Sequence, residues 1–159
     1  MYEILSSEIG EDLAVPMAPV DAGCSQYESA VVVARRSRVS EVRAWLPQDV
    51  LCLPLRLRSV HGALQGEAHP GVETLVSIVS RSLEIRHWAR AMLIAVGLDP
   101  ECLCDVDTSD GGWAGRLSIH SLAVCDVVSA RHIPERCRAK VFRVIADSSI
   151  QELKHLCGL

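Results

Sequence analysis

Aromatic residues are scarce. Three Trp, two Tyr and one Phe make up 4% of the 159 residues. A sandwich core built on large rings is therefore excluded. The core must be aliphatic, which suits a parallel sheet covered by helices. Long apolar runs are also missing. None reaches the ~18 residues that a membrane span needs, so no membrane partner is expected. Positive charge is not in excess either: 16 Lys and Arg against 20 Asp and Glu leave a net charge of −4. A broad surface for phosphate backbones is excluded, and no direct nucleic-acid contact by this chain is expected.

The N-terminus, Met1-Tyr2-Glu3-Ile4, has no basic region and no long apolar stretch of the kind that marks a signal peptide. The seven cysteines are odd in number, and several lie inside apolar runs such as Leu51-Cys52-Leu53. Both features point to reduced, buried thiols in a cytoplasmic protein.

Catalytic and cofactor signatures are absent as well. There is no G-x-x-x-x-G-K-[ST], no G-x-G-x-x-G and no G-x-S-x-G. Cys102-x-Cys104 is one residue short of a zinc or redox spacing, and the six His are scattered. Asp105, Asp107, Ser109 and Asp110 imitate a calcium loop. However, Asp110 stands where that loop needs Gly, and Arg116 where it needs Glu. Arg35 and Arg36 follow the first strong strand, where a phosphorylatable receiver would need an acidic pair. No catalytic residue, metal or cofactor is assigned.

What is present is an alternation of helical and extended patterns. The hydrophobic fraction of 49% allows a packed core. Residues 2–13 carry Ile4, Leu5, Ile9 and Leu13 on one helical face. A short extended piece is expected over residues 15–20, then a polar loop over 21–29. Ala30–Ala34 reads as a buried strand. Ser37 caps a helix running to Leu46, and Pro47 stops it. Val50–Leu57 is a strand in which Pro54 argues for an edge or an irregularity. Residues 59–71 read as a connection.

Thr74–Val79 is a strand and Ser80–Val96 a helix, with Gly97 at its end. Leu103–Val106 is a strand, residues 108–115 form a loop, and residues 116–122 are ambiguous. Cys125–Ser129 and Lys140–Ile145 read as strands. A last helix starts at Ser148 or Ser149. Helices alternating with apolar strands predict an α/β fold of mostly parallel sheet with flanking helices.

One segment occurs twice. Residues 37–45 are SRVSEVRAW and residues 80–88 are SRSLEIRHW. The pairs Ser37/Ser80, Arg38/Arg81, Glu41/Glu84, Arg43/Arg86 and Trp45/Trp88 are identical, and each copy follows an apolar strand. Ser at the strand end predicts an N-cap, and Glu four residues on suits the positive end of the helix dipole. Val42/Ile85 and Trp45/Trp88 are expected to face the sheet, with Arg43 and Arg86 pointing away. Duplicated helix-start chemistry alone accounts for this pattern. The functional alternative is that both helix starts converge on one cleft, where Ser37, Arg38, Ser80, Arg81 and Ser82 hold a small polar or anionic ligand. A third strand ending in Ser, with Arg131 nearby, adds Ser129.

Three stretches carry a family likeness: Val76–Pro100 (VSIVSRSLEIRHWARAMLIAVGLDP), Val124–Arg131 and Arg138–Leu153. Together they resemble the C-terminal effector-sensing region of GntR-type bacterial transcriptional regulators. There a periplasmic-binding-protein-like fold follows a winged helix. The resemblance implies two α/β lobes, residues 1–65 and 72–159 joined at 66–71, closing on an effector that controls transcription. It carries over only the strand-end positions Ser37, Arg38, Ser80, Arg81, Ser82 and Ser129. The winged helix is not among these 159 residues. A small α/β enzyme using the same cleft, or a dimerisation domain, are the alternative readings, and a homodimer is left open.

Overall fold

Most of the strands form where β-branched and aliphatic residues run together, and those of the described residues pair in parallel. The computed structural model describes residues 1–20, 27, 30–59 and 75–159. Within them the elements are α1 (Tyr2–Leu13), β1 (Val31–Arg35), α2 (Val39–Trp45), β2 (Leu51–Leu55), β3 (Val76–Val79), α3 (Leu83–Ala95), β4 (Leu103–Val106), β5 (Leu122–Cys125), α4 (Val127–Ala130), β6 (Arg138–Val141) and α5 (Asp147–Leu156). The fold is mixed α/β, with a two-stranded sheet β1-β2 and a four-stranded sheet ordered β4-β3-β5-β6. Most of the expected connection, and most of the expected loop at 21–29, lie outside the described residues, as does Thr74.

The period of two along each strand sorts the core of the larger sheet. Val76, Ile78, Leu122 and Val124 face one side, where Ile85, Ala89 and Leu93 of α3 cover them. Val79, Ala123 and Cys125 face the other, against Val106, Leu117 and Cys137. Ile4 of α1 joins the first of these cores, while Ile9 and Leu13 join a separate core with Leu53, Leu55, Ile145, Ile150 and Leu153. The N-terminal helix thus spans from the large sheet to the small one. Burying each such aliphatic side chain contributes about 1.5–3 kcal/mol. That outweighs the exposed ion pair Arg131–Glu11 beside them, because such pairs are worth about 0–1 kcal/mol each. The apolar face holds α1 in place.

The two sheets are tied where the chain crosses between them. Leu57 and Ile145 form an isolated antiparallel bridge. The Arg58 N–H donates to the Val144 carbonyl at 2.8 Å and the Ala146 N–H to the Arg56 carbonyl at 2.9 Å. The Ser149 hydroxyl oxygen accepts from the Arg56 N–H at 3.0 Å. Glu8 of α1 reaches the same junction. It is 1% exposed, and its carboxylate accepts the N–H groups of Val144 at 2.6 Å and Ile145 at 2.9 Å. Burial pushes its pKa up, against the lowering effect of those two bonds and of Arg143 and Arg58.

Several expectations are corrected. Residues 15–20 form no strand. The strand expected at Cys125–Ser129 ends at Cys125, and residues 127–130 are a helical turn. The Asp126 carboxylate causes this by accepting the N–H groups of Val128 and Ser129, which starts a helix instead of prolonging the strand. The strand itself begins in the stretch that was ambiguous. β6 begins and ends earlier than expected, at Arg138–Val141. Pro54 pairs opposite Ala34 in a sheet of only two strands, where each strand is an edge and a missing N–H is tolerated. Gly97, at φ 96°, makes the left-handed turn that ends α3.

Candidate functional site

In an open parallel sheet, ligands lie beyond the carboxyl ends of the strands, at the point where the strand order reverses. Here β3 connects to β4 on one side, and the chain then returns to β5 on the other. The ends of β3 and β5 are therefore the geometric candidate. The repeat segment Ser80–Trp88 starts at their mouth.

Ser80 is fully buried. Its N–H donates to the Val106 carbonyl at 3.2 Å, and its hydroxyl oxygen accepts from the Ser82 N–H at 3.1 Å. Ser82, not Ser80, is the N-cap of α3: its hydroxyl oxygen accepts from the Ile85 N–H at 3.4 Å. In the other copy, Ser37 lies on an exposed 3-10 turn, Arg36–Arg38, and Arg38 precedes α2 with no side-chain cap. The extra turn shifts the helix start, so the shared Ser does not have the capping role that its position predicts. Glu41 and Glu84 do occupy first turns. Ser129 is buried in the helical turn after β5. Its hydroxyl donates to Asp126 at 3.1 Å.

The arginines of the repeat are also corrected. Arg86 does not point away. It is 6% exposed, donates to the Ser80 carbonyl, and reaches the Asp107 carboxylate at 2.8 Å. One guanidinium thus ties the end of β3 to the residue that follows β4. Arg43 donates to the Val50 carbonyl at 3.0 Å, bracing the start of β2. Ile85 is buried, and Trp88 lies against the core beneath α3 with its ring centroid 6.0 Å from that of Phe142. Val42 and Trp45 pack similarly beside Val32 and Ala34.

One contact joins the end of β1, just before the first repeat copy, to the second copy. Arg35, the last residue of β1, pairs with Glu84 in the first turn of α3. The sheet ends carrying Ser37 and Ser80 are thereby linked. Arg81 pairs with Glu3 of α1 at 3.6 Å, and Arg38 with Glu41 at 2.5 Å. Sequence reasoning used Arg35 to argue against a phosphorylatable receiver, expected Arg86 to point away, and gave Asp126 no role as a helix cap. The signal for Arg86 was present in the repeat itself, because a charged residue kept in both copies can be a structural donor as well as a solvated one.

Two titrating groups near this mouth are strongly shifted. Asp107 is held down to about 2, first by the Ser109 hydroxyl and then by the Ser109 N–H, which makes it a poor proton acceptor. The Cys125 thiol is pushed up to about 12 by burial and by Asp126, which keeps it an unreactive thiol. In the imitation calcium loop, Asp105 is engaged by Arg90, Asp107 by Arg86 and Asp110 by Arg116. Among the described residues no group of three or more side chains is placed to hold a metal, and no helix is long and apolar enough to cross a membrane.

No protein-family model matches the chain, and the searches of curated proteins and of solved structures found no match.

Proposed function

We propose that the chain is a small-molecule sensing module, the effector-binding part of a ligand-controlled transcriptional regulator. Its two parallel sheets act as two lobes in a periplasmic-binding-protein-like arrangement, and a polar or anionic ligand is held between their carboxyl ends. The observation that carries this reading is the reversal of strand order between β3 and β5, with Ser80, Arg81 and Ser82 at its mouth. The Arg35–Glu84 contact supports it by linking the end of β1, which leads into segment 37–45, to the first turn of α3. Ser37, Arg38 and the exposed Arg81 are the side chains offered to the ligand. Ser80, Ser82 and Ser129 shape the backbone around it. Ligand binding shifts the population of sheet arrangements, and a partner reads that shift.

The test is a thermal-shift screen with small carboxylates, phosphate esters and sugars. A ligand at a hundred times its Kd stabilises a fold by about 2.7 kcal/mol, and Arg81→Gln should weaken that gain. Flat curves for every class, or a binder indifferent to Arg38→Gln, Arg81→Gln and Ser82→Ala, would overturn the reading.

A further inference from the structure

Three arginines stand at the mouth of the sheets, and each carries a carboxylate of its own chain: Arg35 carries Glu84, Arg38 carries Glu41 and Arg81 carries Glu3. Two of these pairs are local to one side. Arg38 and Glu41 are three residues apart on one segment, and Glu3 belongs to α1. Arg35–Glu84 alone of the three runs from the two-stranded sheet to the four-stranded one. Its partners differ in exposure. The Arg35 side chain is 25% exposed at the end of β1, and that of Glu84 is 50% exposed on α3. A guanidinium is a planar fork that matches a carboxylate, and a half-exposed Glu is a replaceable occupant.

We propose that Glu84 is a built-in stand-in for the ligand, and that the ligand of this module is a small carboxylic acid whose carboxylate displaces Glu84 from Arg35. This inference rests on the sensing function proposed above and specifies its chemistry. The exchange conserves charge at Arg35: one carboxylate leaves for water and another takes its N–H donors. It also has a mechanical result. Releasing Glu84 removes the tie between the first turn of α3 and the end of β1, so occupancy loosens one sheet mouth from the other. The signal is the loss of that tie.

The decisive experiment is titration calorimetry of the whole chain with acetate, succinate and glutarate, with inorganic phosphate and a neutral sugar as controls. The wild type, Glu84→Gln and Arg35→Gln are compared, and circular dichroism checks that each is folded. Both side chains are solvent-accessible, so the variants are expected to fold. Glu84→Gln removes the internal competitor and should bind a carboxylate about two- to five-fold more tightly, the factor set by the strength of an exposed ion pair. Arg35→Gln should abolish binding.

Carboxylate binding that Glu84→Gln does not strengthen, or that Arg35→Gln leaves intact, overturns the stand-in while leaving the sensing function in place. Binding of phosphate or sugar alone has the same effect. Absence of binding by every compound to every variant overturns both.

Discussion

Glu8 offers the sharpest test of how this fold is held together, because two opposed effects act on one carboxylate. Burial at 1% exposure favours the neutral acid. Two backbone N–H groups, at 2.6 and 2.9 Å, favour the ion. The net direction is a raised pKa, so burial wins. The sign for stability follows from linkage. A carboxyl whose pKa is higher in the folded chain than in the unfolded one gives its full stability below the unfolded value of 4.5. It loses that stability as pH rises through the folded value. Each unit of difference is worth about 1.4 kcal/mol.

Glu8→Gln cannot titrate. Its amide nitrogen also cannot accept from the second N–H, which costs about 1–3 kcal/mol relative to the neutral acid. In urea denaturation followed by tryptophan fluorescence, the wild type should lead Glu8→Gln by about that amount near pH 4.5. The lead should shrink as pH rises above 4.5 and through the raised folded value. Glu8→Ala leaves both N–H groups without that partner and should cost about 2–6 kcal/mol near pH 4.5, a cost that shrinks with rising pH in the same way. A wild-type lead over Glu8→Gln that grows with pH would refute the reasoning. It would mean that the two N–H bonds, with Arg143 and Arg58, outweigh burial.

Two further outcomes are expected. Arg86→Met removes the donor that joins the Ser80 carbonyl to Asp107 and should lower stability by about 1.5–3 kcal/mol in the same denaturation assay. Arg86→Lys should recover only part of this, since one ammonium cannot reproduce the planar fork. Alkylation followed by mass spectrometry should modify the exposed Cys104 and Cys157 in the native protein. It should reach buried Cys52, Cys125 and Cys137 only after denaturation. Native labelling of Cys125 would contradict its high pKa and burial.

The helical face Ile4-Leu5-Ile9-Leu13 was legible because a 3.6-residue period needs no distant partner to be recognised, and α1 runs over Tyr2–Leu13 as that period dictates. β4 at Leu103–Val106 was equally legible. The boundary after Cys125 was not. The run CDVVS is as good a strand as a helix start by composition, and only the geometry of the Asp126 carboxylate decides it. The repeat was legible as letters, but not as roles. Ser37 and Ser80 are the same residue in the same motif, yet one is exposed on a 3-10 turn and the other is buried behind Ser82.

The sequence by itself determined the elements and their class: aliphatic runs that must be buried on both faces, punctuated by Pro and Gly, commit the chain to parallel sheet and helix. The tertiary structure decided the partners. It placed Arg86 between two strand ends, Glu8 on two amides about 136 residues away in the chain, and Arg35 against Glu84 across two sheets. The physical reason is range. Periodicity and capping act within a few residues. Where a buried charge or donor finds its complement depends on which distant segment folding brings within about 3 Å.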